Sequence, residues 1–206
     1  MILASQSPRR LQILQEAGFD PVVIPADINE TSYPNESPMD LVARLCQLKA
    51  YTVQEQLTEG PADGLLLAAD TIVYLDSTLS LGKPANPAEA KWMLRLLSGR
   101  THYVTTGVTL LLLDSDATIL DEVRFLETTE VEFYDLTSDE IAAYAASGEP
   151  MDKAGAYGIQ GKGRMLVRSI VGDYENVVGL PIARVVREIA KLTKQHNLLA
   201  SILERN

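Results

Sequence analysis

The sequence predicts an α/β fold with a mixed sheet that is extended mostly by antiparallel strands and flanked by helices. In the first half of the chain, short apolar segments alternate with capped helical patterns, which is typical of βα units. From residue 101 to residue 134 the pattern changes to long runs of β-branched and aromatic residues, which indicates antiparallel strands. With 206 residues, 46% of them hydrophobic, the chain suffices for a single domain or for two lobes that share a cleft.

The first half of the chain is predicted to alternate strands with helices. Each helix begins with a capping residue followed by proline, whose fixed φ angle suits the first helical turn. The three helices run from Ser7 to Gly18, from Ser37 towards Leu57 and from Asn86 to Gly99. Strands are predicted at residues 1–4, 20–25, 64–76 and 79–81. The polar segment 26–36 is expected to form a loop.

The second half begins with the antiparallel part of the sheet. Its strands are separated by the turn at residues 114–116 and are expected to be interrupted again at Glu127, because charged and turn-forming residues break the apolar runs there. These strands would extend the sheet that the βα units begin.

Helical signals return after the antiparallel strands. Thr137 and Glu140 are spaced as a capping box. Glycines and turn formers then predict an irregular segment at residues 149–163, and a strand follows at 165–171. An apolar stripe at helical spacing predicts one last helix over residues 181–203.

The composition excludes several classes of protein. A formal net charge of −10 disfavours long nucleic acid as a partner, because proteins that bind it present a basic field to the phosphate backbone. A small phosphorylated ligand stays compatible with this charge, since local cations, a metal ion and the N–H groups at a helix start can bind it. The apolar stretches are too short to span a bilayer, and the first residues do not resemble a signal peptide. We therefore expect no membrane association and a cytoplasmic location.

The residue types available in this sequence predict that any metal ion is bound by oxygen ligands. Cys46 is the only cysteine, so an intrachain disulfide is excluded. The two histidines, His102 and His196, lack the spacing of a zinc site. Any metal ion is therefore expected to be bound through oxygen atoms.

Asp70 is an unusual residue for its position. It lies in an apolar run whose alternating positions offer no polar face, with Ala68 and Ile72 as its neighbours on one face. A carboxylate there is costly unless it is paired, hydrogen-bonded or bound to a metal ion. Acting as a base towards a metal-bound water is one role that offsets the cost. The alternative is an aspartate at a strand end that caps a turn, and the local sequence favours neither.

The turn after the first strand is a candidate anion site. Ser5, Ser7, Arg9 and Arg10 place two hydroxyls and two guanidinium groups at a strand-to-helix turn, where N–H groups and the helix dipole favour a phosphate. The motif is not a Walker loop, which needs a glycine-rich run ending in Gly-Lys-Ser/Thr. Two arginines early in a helix are more often solvated surface residues.

Three further charged residues are candidates, although the ordinary explanation of each is a solvated side chain. Lys83 follows the Asp70 strand in a tight connection from which it could neutralise phosphate charge. Lys49 lies at the rim of an apolar helical stripe, where a lysine usually extends its ammonium group into water. Glu30, in the polar loop, could share Mg²⁺ or Mn²⁺ with Asp70, since both ions prefer carboxylate and water oxygens.

The glycine-rich segment 147–161 is the last candidate. An irregular segment of this length is uncommon in a compact domain unless it has a function. Tyr157 offers a ring on which a base could stack, and Gln160 offers an amide that could read the edge of a base. The alternative is a long surface loop.

Six motifs, in this order and spacing, resemble those of the Maf family. They are LASQSPRR from Leu3, ADTIV from Ala69, GKP from Gly82, SGRTH from Ser98, the segment 147–161 and VVGLP from Val177. The resemblance implies a mixed-sheet α/β fold with two lobes around a central cleft, distantly similar to that of the inosine triphosphate pyrophosphatases. It implies a single Maf-like domain over residues 1–206.

The resemblance also implies an activity, the metal-dependent hydrolysis of a nucleoside triphosphate to the monophosphate and pyrophosphate. Asp70 would accept a proton from the attacking water and would share Mg²⁺ or Mn²⁺ with Glu30. The triphosphate would be bound by Ser5, Ser7, Arg9, Lys49 and Lys83. The choice of substrate would depend on Arg10, Thr71 and Gln160. One departure bears on the metal, because the family more often has a second acid where this chain has Asn29.

Three matches resemble the branch of the family that acts on dTTP and UTP, and modified pyrimidine triphosphates would be additional substrates. They are residues 8–10, 70–71 and 157–161. The alternatives are a pyrophosphatase for 7-methyl-GTP or inosine triphosphate, or a nucleotide-binding regulator, because family members are associated with inhibition of septum formation. The expected partner is a nucleoside triphosphate, and a homodimer is compatible with the resemblance.

Overall fold

The protein is described by a computed structural model over residues 1–204. In chain order its strands are β1 (Ile2–Leu3), β2 (Val22–Val23), β3 (Leu65–Tyr74), β4 (Ser80–Leu81), β5 (Thr101–Leu113), β6 (Ile119–Phe133) and β7 (Val167–Val171). Its helices are α1 (Pro8–Glu16), α2 (Pro38–Gln54), α3 (Pro87–Leu97), α4 (Ser138–Ala146), α5 (Tyr174–Val178), α6 (Ile182–Leu192) and α7 (Leu198–Leu203). Three short 3₁₀ turns, Glu149–Asp152, Ala154–Ala156 and Lys162–Met165, form the irregular segment.

The strands form one mixed sheet in the order β2-β1-β3-β5-β6-β7, with β4 paired to β3. The pairs of β1 with β2 and with β3 are parallel, as βα connections require, and the other pairs are antiparallel. This confirms the predicted mixed α/β fold with helices on the flanks of the sheet. The two-lobed shape and the single domain over residues 1–206 stay predictions, and residues 205 and 206 lie outside the described part of the chain.

The predicted helix starts are confirmed by their caps. The side chains of Ser7, Ser37 and Asn86 each accept a hydrogen bond from a backbone N–H of the helix that follows, and a proline is the next residue in each case. Thr137 and Glu140 form the predicted capping box of α4. These caps are local, which is why the sequence alone predicts them.

Two predicted element boundaries are wrong. Glu127 does not interrupt β6, because it pairs with Thr106 of β5 and its carboxylate is 2.7 Å from Arg184. The last helix does not run unbroken over residues 181–203: α6 ends at Leu192, Lys194 has a φ of +57°, and α7 begins at Leu198. The left-handed backbone at Lys194 cannot continue an α-helix.

The two faces of β3 are covered by different helices. Odd-numbered residues from Leu65 to Ala69 pack against α1 and α6, and the even-numbered Leu66 and Ala68 pack against α2. The close approach of α2 depends on Gly107 of β5, where an added Cβ would lie 2.9 Å from the backbone oxygen of Val42. Among residues 1–204 there is no helix with both the length and the apolar character that a membrane span needs.

The sheet is incomplete at one edge of β3, and this positions the candidate site. On that edge β1 pairs with Leu66 and Leu67, and β4 pairs with Val73 and Tyr74. In the described structure no strand pairs with the stretch between them on this edge. Because β1 is only two residues long, the chain turns away after it into α1 and leaves an opening beside residues 69–72.

Candidate active site

The main pocket of the protein lies at this opening and has a volume of about 690 Å³. Its walls come from the β1–α1 turn, one face of α2, the connection after β4, the irregular segment and the turn after α5. A concave site of this size, lined by few but convergent polar groups, is typical of small-ligand binding. All ten residues predicted as site residues line it, namely Ser5, Ser7, Arg9, Arg10, Glu30, Lys49, Asp70, Thr71, Lys83 and Gln160.

The most densely charged part of the main pocket is a lysine between two carboxylates. The Nζ atom of Lys49 is 2.6 Å from Oδ1 of Asp70 and 2.6 Å from Oε1 of Glu30. The Lys49 and Asp70 side chains are largely buried, at 11% and 15% exposure, whereas that of Glu30 is 56% exposed. The usual explanation of Lys49, an ammonium group extended into water, is therefore wrong, because the buried ammonium neutralises Asp70. The capping explanation of Asp70 is wrong too, because the residue lies inside β3.

The cations around Glu30 keep it ionised. Burial alone would raise its pKa, but the hydrogen bond from Lys49 and the charges of Lys49, Lys83 and Arg10 outweigh burial and hold the pKa below its ordinary value. Glu30 is thus an anion at neutral pH, the form in which a carboxylate binds a metal ion.

The donor set of the main pocket fits a hard divalent cation. Glu30 and Asp70 present carboxylate oxygens to one cationic atom, the Lys49 ammonium, and such oxygens are the ligands that Mg²⁺ and Mn²⁺ prefer. Within residues 1–204 no group of three or more Asp, Glu, His or Cys side chains converges on one point. Two carboxylates suffice for Mg²⁺, because this ion is commonly held by one or two carboxylates together with water and substrate phosphates.

The opposite wall of the main pocket has the features of an anion site. Oγ of Ser5 accepts hydrogen bonds from the Ser7 N–H at 3.2 Å and from the Arg10 guanidinium at 3.1 Å, so the turn before α1 is tightly folded. The N-terminus of α1 faces the pocket there and adds its dipole. Arg9 lies at the pocket mouth, where it is 3.0 Å from a carboxylate oxygen of Asp152. Burial alone would raise the pKa of Asp152, but the hydrogen bonds and charges of Lys153 and Arg9 lower it to about 2.

Lys83 is the cation best placed to accept a new partner. It lies in the connection after β4, is exposed and lines the main pocket. Among the contacts of residues 1–204 it has no hydrogen bond or salt bridge, in contrast to Lys49 and Arg9. An approaching phosphate would therefore not have to break a contact to bind it.

Arg10 has a different environment from Arg9, and its ordinary explanation as a solvated side chain is wrong. It is buried, and its three nitrogens donate to the backbone oxygen of Gly179 at 2.9 Å, to Ser5 and to Oγ1 of Thr71 at 2.9 Å. Burial lowers the pKa of the guanidinium from its ordinary value. Arg10 thereby joins α1, β3 and the turn after α5 at the floor of the pocket.

The two residues singled out in the glycine-rich segment differ in their exposure. Gln160 is exposed and lines the main pocket, as base reading would require. Tyr157 is 5% exposed, its ring packs edge-on against His102 and Phe133, and its hydroxyl is 2.8 Å from Nε2 of His102. Its ring therefore belongs to the core and is not free to stack on a base.

Three residues that matter to the geometry of the site were not predicted. They are Asp152, which binds Arg9, and the pair of Tyr144 and Glu149, which support the irregular segment from behind. The number of glycines in the segment 147–161 indicates a candidate functional region. No local pattern indicates that Arg9 binds Asp152, 143 residues away, or that Glu149 accepts the N–H of Gly163, 14 residues away. The contacts place the candidate residues together, and their roles towards a ligand stay predictions.

Comparison with known proteins gives a consistent result over nearly the whole chain. The model of the family described as Maf-like protein matches residues 1–192. Curated dTTP/UTP pyrophosphatases of Bacillus cereus (strain AH820), Bacillus anthracis and Bacillus thuringiensis subsp. konkukian (strain 97-27) are each 50% identical to this chain over 198 residues. The matched region covers 96% of this chain and 96% of each of these relatives.

Proposed function

This chain belongs to the Maf-like protein family, and we propose that it hydrolyses dTTP and UTP to the corresponding monophosphate and pyrophosphate with the help of a divalent cation. The observation that carries the chemistry is the arrangement of Asp70, Lys49 and Glu30 at the open edge of β3, opposite the N-terminus of α1. The two carboxylates can bind a metal ion on one side of a polyphosphate, and the cationic residues of the opposite wall can bind its phosphate oxygens on the other side. The family and the names of the relatives support the choice of substrate.

Asp70 is the proposed proton acceptor. A water molecule attacks the α-phosphorus, its oxygen forms the new bond, the bond to the bridging oxygen of the β-phosphate breaks, and pyrophosphate leaves. The proton of the water passes to the Asp70 carboxylate. Lys49, at 2.6 Å from that carboxylate, orients it before the metal ion and the substrate bind.

The other charged residues position the triphosphate. Lys83 and Arg9 neutralise phosphate oxygens, while Ser5, Ser7 and the first N–H groups of α1 donate hydrogen bonds to them. Arg9 exchanges its contact with Asp152 for phosphate when the substrate binds. Because the chain has a net charge of −10, this local cluster is necessary to attract an anion at all.

Glu30 and Asp70 are the proposed ligands of Mg²⁺ or Mn²⁺. A divalent cation bound there would neutralise the developing charge on the phosphate oxygens. Lys49 would then turn from the two carboxylates towards the triphosphate, because its ammonium group and the metal ion repel each other at close range.

Base recognition is proposed to involve Gln160, Thr71 and Arg10. Gln160 supplies an exposed amide at the pocket wall, and Arg10 holds Thr71 in place at the pocket floor. A pocket whose polar groups pair with one base and are left unpaired by another discriminates strongly between the two. We also propose that the whole chain works as one Maf-like domain whose two lobes flank the pocket.

The test is pyrophosphate release by the purified protein with Mg²⁺ or Mn²⁺ against dTTP, UTP, CTP, GTP, inosine triphosphate and 7-methyl-GTP. Preference for dTTP and UTP is the expected result. Preference for a purine would leave the pyrophosphatase activity standing and refute the pyrimidine assignment. Metal-dependent release from none of these nucleotides would refute the enzymatic function and favour a nucleotide-binding regulator of septum formation.

A further inference from the structure

A single carboxylate behind the main pocket holds the segment that carries Gln160. Oε2 of Glu149 accepts the backbone N–H of Lys162 at 2.9 Å, and its Oε1 accepts the backbone N–H of Gly163 at 3.1 Å. The hydroxyl of Tyr144 donates to Oε1 at 3.0 Å. Glu149 therefore fixes the far end of the turn formed by residues 158–163, which we call the recognition turn.

The near end of the recognition turn is fixed by the same pair of side chains. The hydroxyl of Tyr144, while donating to Glu149, accepts the backbone N–H of Gly158 at 3.1 Å. Both ends of the turn thus depend on a chain of hydrogen bonds that ends in one charged group. Hydrogen bonds to an ionised acceptor are stronger than neutral ones, so Glu149 contributes strongly to the local geometry. Arg164 supports the middle of the turn, where it donates to the backbone oxygens of Gln160 and Gly161.

The recognition turn is also packed onto Glu149. A Cβ added at Gly161 would collide with Oε1 of Glu149, so the backbone passes close to the carboxylate and a larger residue there would displace it. Burial alone would raise the pKa of Glu149, but the two backbone N–H groups, Tyr144 and Lys153 outweigh it, and the pKa is lower than ordinary. The group is ionised at neutral pH and can accept all three hydrogen bonds.

Glu149 and Tyr144 do not themselves line the main pocket, whereas Gly158, Ile159, Gln160 and Gly161 do. A glutamine amide has an oxygen on one side and an NH₂ group on the other, so a half-turn would adapt it from uracil to cytosine. That half-turn is a rotation about the Cγ–Cδ bond of the side chain, so what a fixed backbone contributes is the position and the angle at which the amide meets the base.

We propose that Glu149, acting with Tyr144, is a positioning residue for base selection, which holds the recognition turn so that Gln160 favours uracil and thymine over cytosine. This inference rests on the proposed function, because it assumes that Gln160 meets the base. It adds a residue outside the pocket that determines which nucleotide is used and leaves the phosphate-binding wall unchanged.

The decisive experiment combines Glu149→Gln with Gln160→Ala. The neutral amide in Glu149→Gln keeps the shape but turns an NH₂ group towards a backbone N–H donor. The ratio of kcat/KM for UTP to that for CTP is expected to fall about tenfold or more, as the loss of a charged hydrogen bond would cause. The double variant is expected to show no larger fall than Gln160→Ala alone, because Glu149 acts through Gln160. Independent, multiplying effects on the ratio would overturn the proposal.

Two controls separate this role from a general loss of structure. Glu140→Gln changes a carboxylate that likewise accepts a backbone N–H and a hydroxyl, at 2.7 and 2.8 Å, but at the start of α4 outside the main pocket. It is expected to leave the UTP/CTP ratio unchanged. If Glu149→Gln fails to fold, Tyr144→Phe removes the hydroxyl that links Gly158 to Glu149 and should lower the ratio in the same direction. An unchanged ratio there would overturn the proposal.

Amide hydrogen exchange keeps this test separate from the test of the proposed function. In the protein without nucleotide, Glu149→Gln is expected to speed exchange at Lys162 and Gly163, and Glu140→Gln is not. Unchanged exchange at these two amides would overturn the role of Glu149 even if the enzyme prefers UTP. A wild-type protein that releases no pyrophosphate would refute the proposed function, and with it the base-selection role, whatever the exchange rates are.

Discussion

Asp70 and Thr71 are consecutive residues of β3 with side chains on opposite faces of the sheet, yet both line the main pocket. Asp70 bonds to Lys49 of α2, whereas Thr71 bonds to Arg10 of α1 and lies 2.9 Å from Thr106 across the strand pair. This is possible because one edge of β3 has no strand neighbour at these residues, so the pocket that opens there receives side chains from both faces of the sheet. The proposed catalytic group and a proposed determinant of substrate choice are therefore adjacent residues of one strand, which fixes their positions relative to each other.

Replacing the carboxylate of Asp70 by an amide removes the proposed proton acceptor. We expect Asp70→Asn to lower kcat by roughly 10² to 10⁴-fold, the usual contribution of a general base, while the far-ultraviolet circular dichroism stays that of the wild type. Asp116→Asn, in the exposed turn between β5 and β6, is the matched control and should retain full activity. A normal kcat in Asp70→Asn would remove Asp70 from the proposed mechanism.

Removing the ammonium group of Lys83 tests the phosphate-binding wall. Because Lys83 makes no hydrogen bond or salt bridge among residues 1–204, Lys83→Ala should leave the melting temperature nearly unchanged. The loss of a charged hydrogen bond to phosphate should lower kcat/KM by roughly 10 to 100-fold. Lys91→Ala, on α3 outside the main pocket, serves as the control. Steady-state kinetics that match the wild type would exclude Lys83 from substrate binding.

The metal requirement depends on the proposed ligands. Chelation with EDTA should abolish pyrophosphate release, and excess Mg²⁺ or Mn²⁺ should restore it. Glu30→Gln should raise the Mn²⁺ concentration needed for half-maximal activity by roughly 10-fold or more, as expected when a metal site loses a carboxylate. Glu55→Gln, exposed at the end of α2, should not. Calorimetric titration with Mn²⁺ in the absence of nucleotide checks the assignment. If Glu30→Gln and Glu55→Gln both bound Mn²⁺ like the wild type, the assignment would be contradicted.

The buried His102 makes stability depend on pH. Burial lowers its pKa from 6.5 to about 4. Between pH 6.5 and pH 4, His102 is largely protonated in the unfolded chain but not in the folded chain. The free energy of unfolding therefore falls as the pH drops from 6.5 towards 4. The full loss is on the order of 3 kcal/mol. In His102→Gln, which keeps a polar group near Tyr157 but cannot titrate, urea unfolding should show a smaller fall over this range. His196→Gln, at an exposed site, should follow the wild type; equal slopes in all three proteins would contradict the prediction.

The sequence predicted the helix starts and the strand types well, because both depend on residues close together along the chain. A serine or asparagine followed by proline caps a helix within three residues, and alternating or continuous apolar runs describe a strand by itself. It also identified Asp70 correctly as a residue inside an apolar strand. The boundaries it missed, at Glu127 and Lys194, depend on a cross-strand partner and on one left-handed residue.

The sequence by itself predicted the class of fold, the family and, through the resemblance to that family, ten of the residues that line the main pocket. Tertiary structure decided how those residues are used. The sequence favoured solvated side chains at both Lys49 and Arg10, but Lys49 is buried between two carboxylates and Arg10 is held by three partners. The support of Gln160 by Glu149 has no sequence signal either. The physical reason is the same in each case: burial and pairing depend on which surfaces meet when the chain folds, and distant partners leave no local pattern.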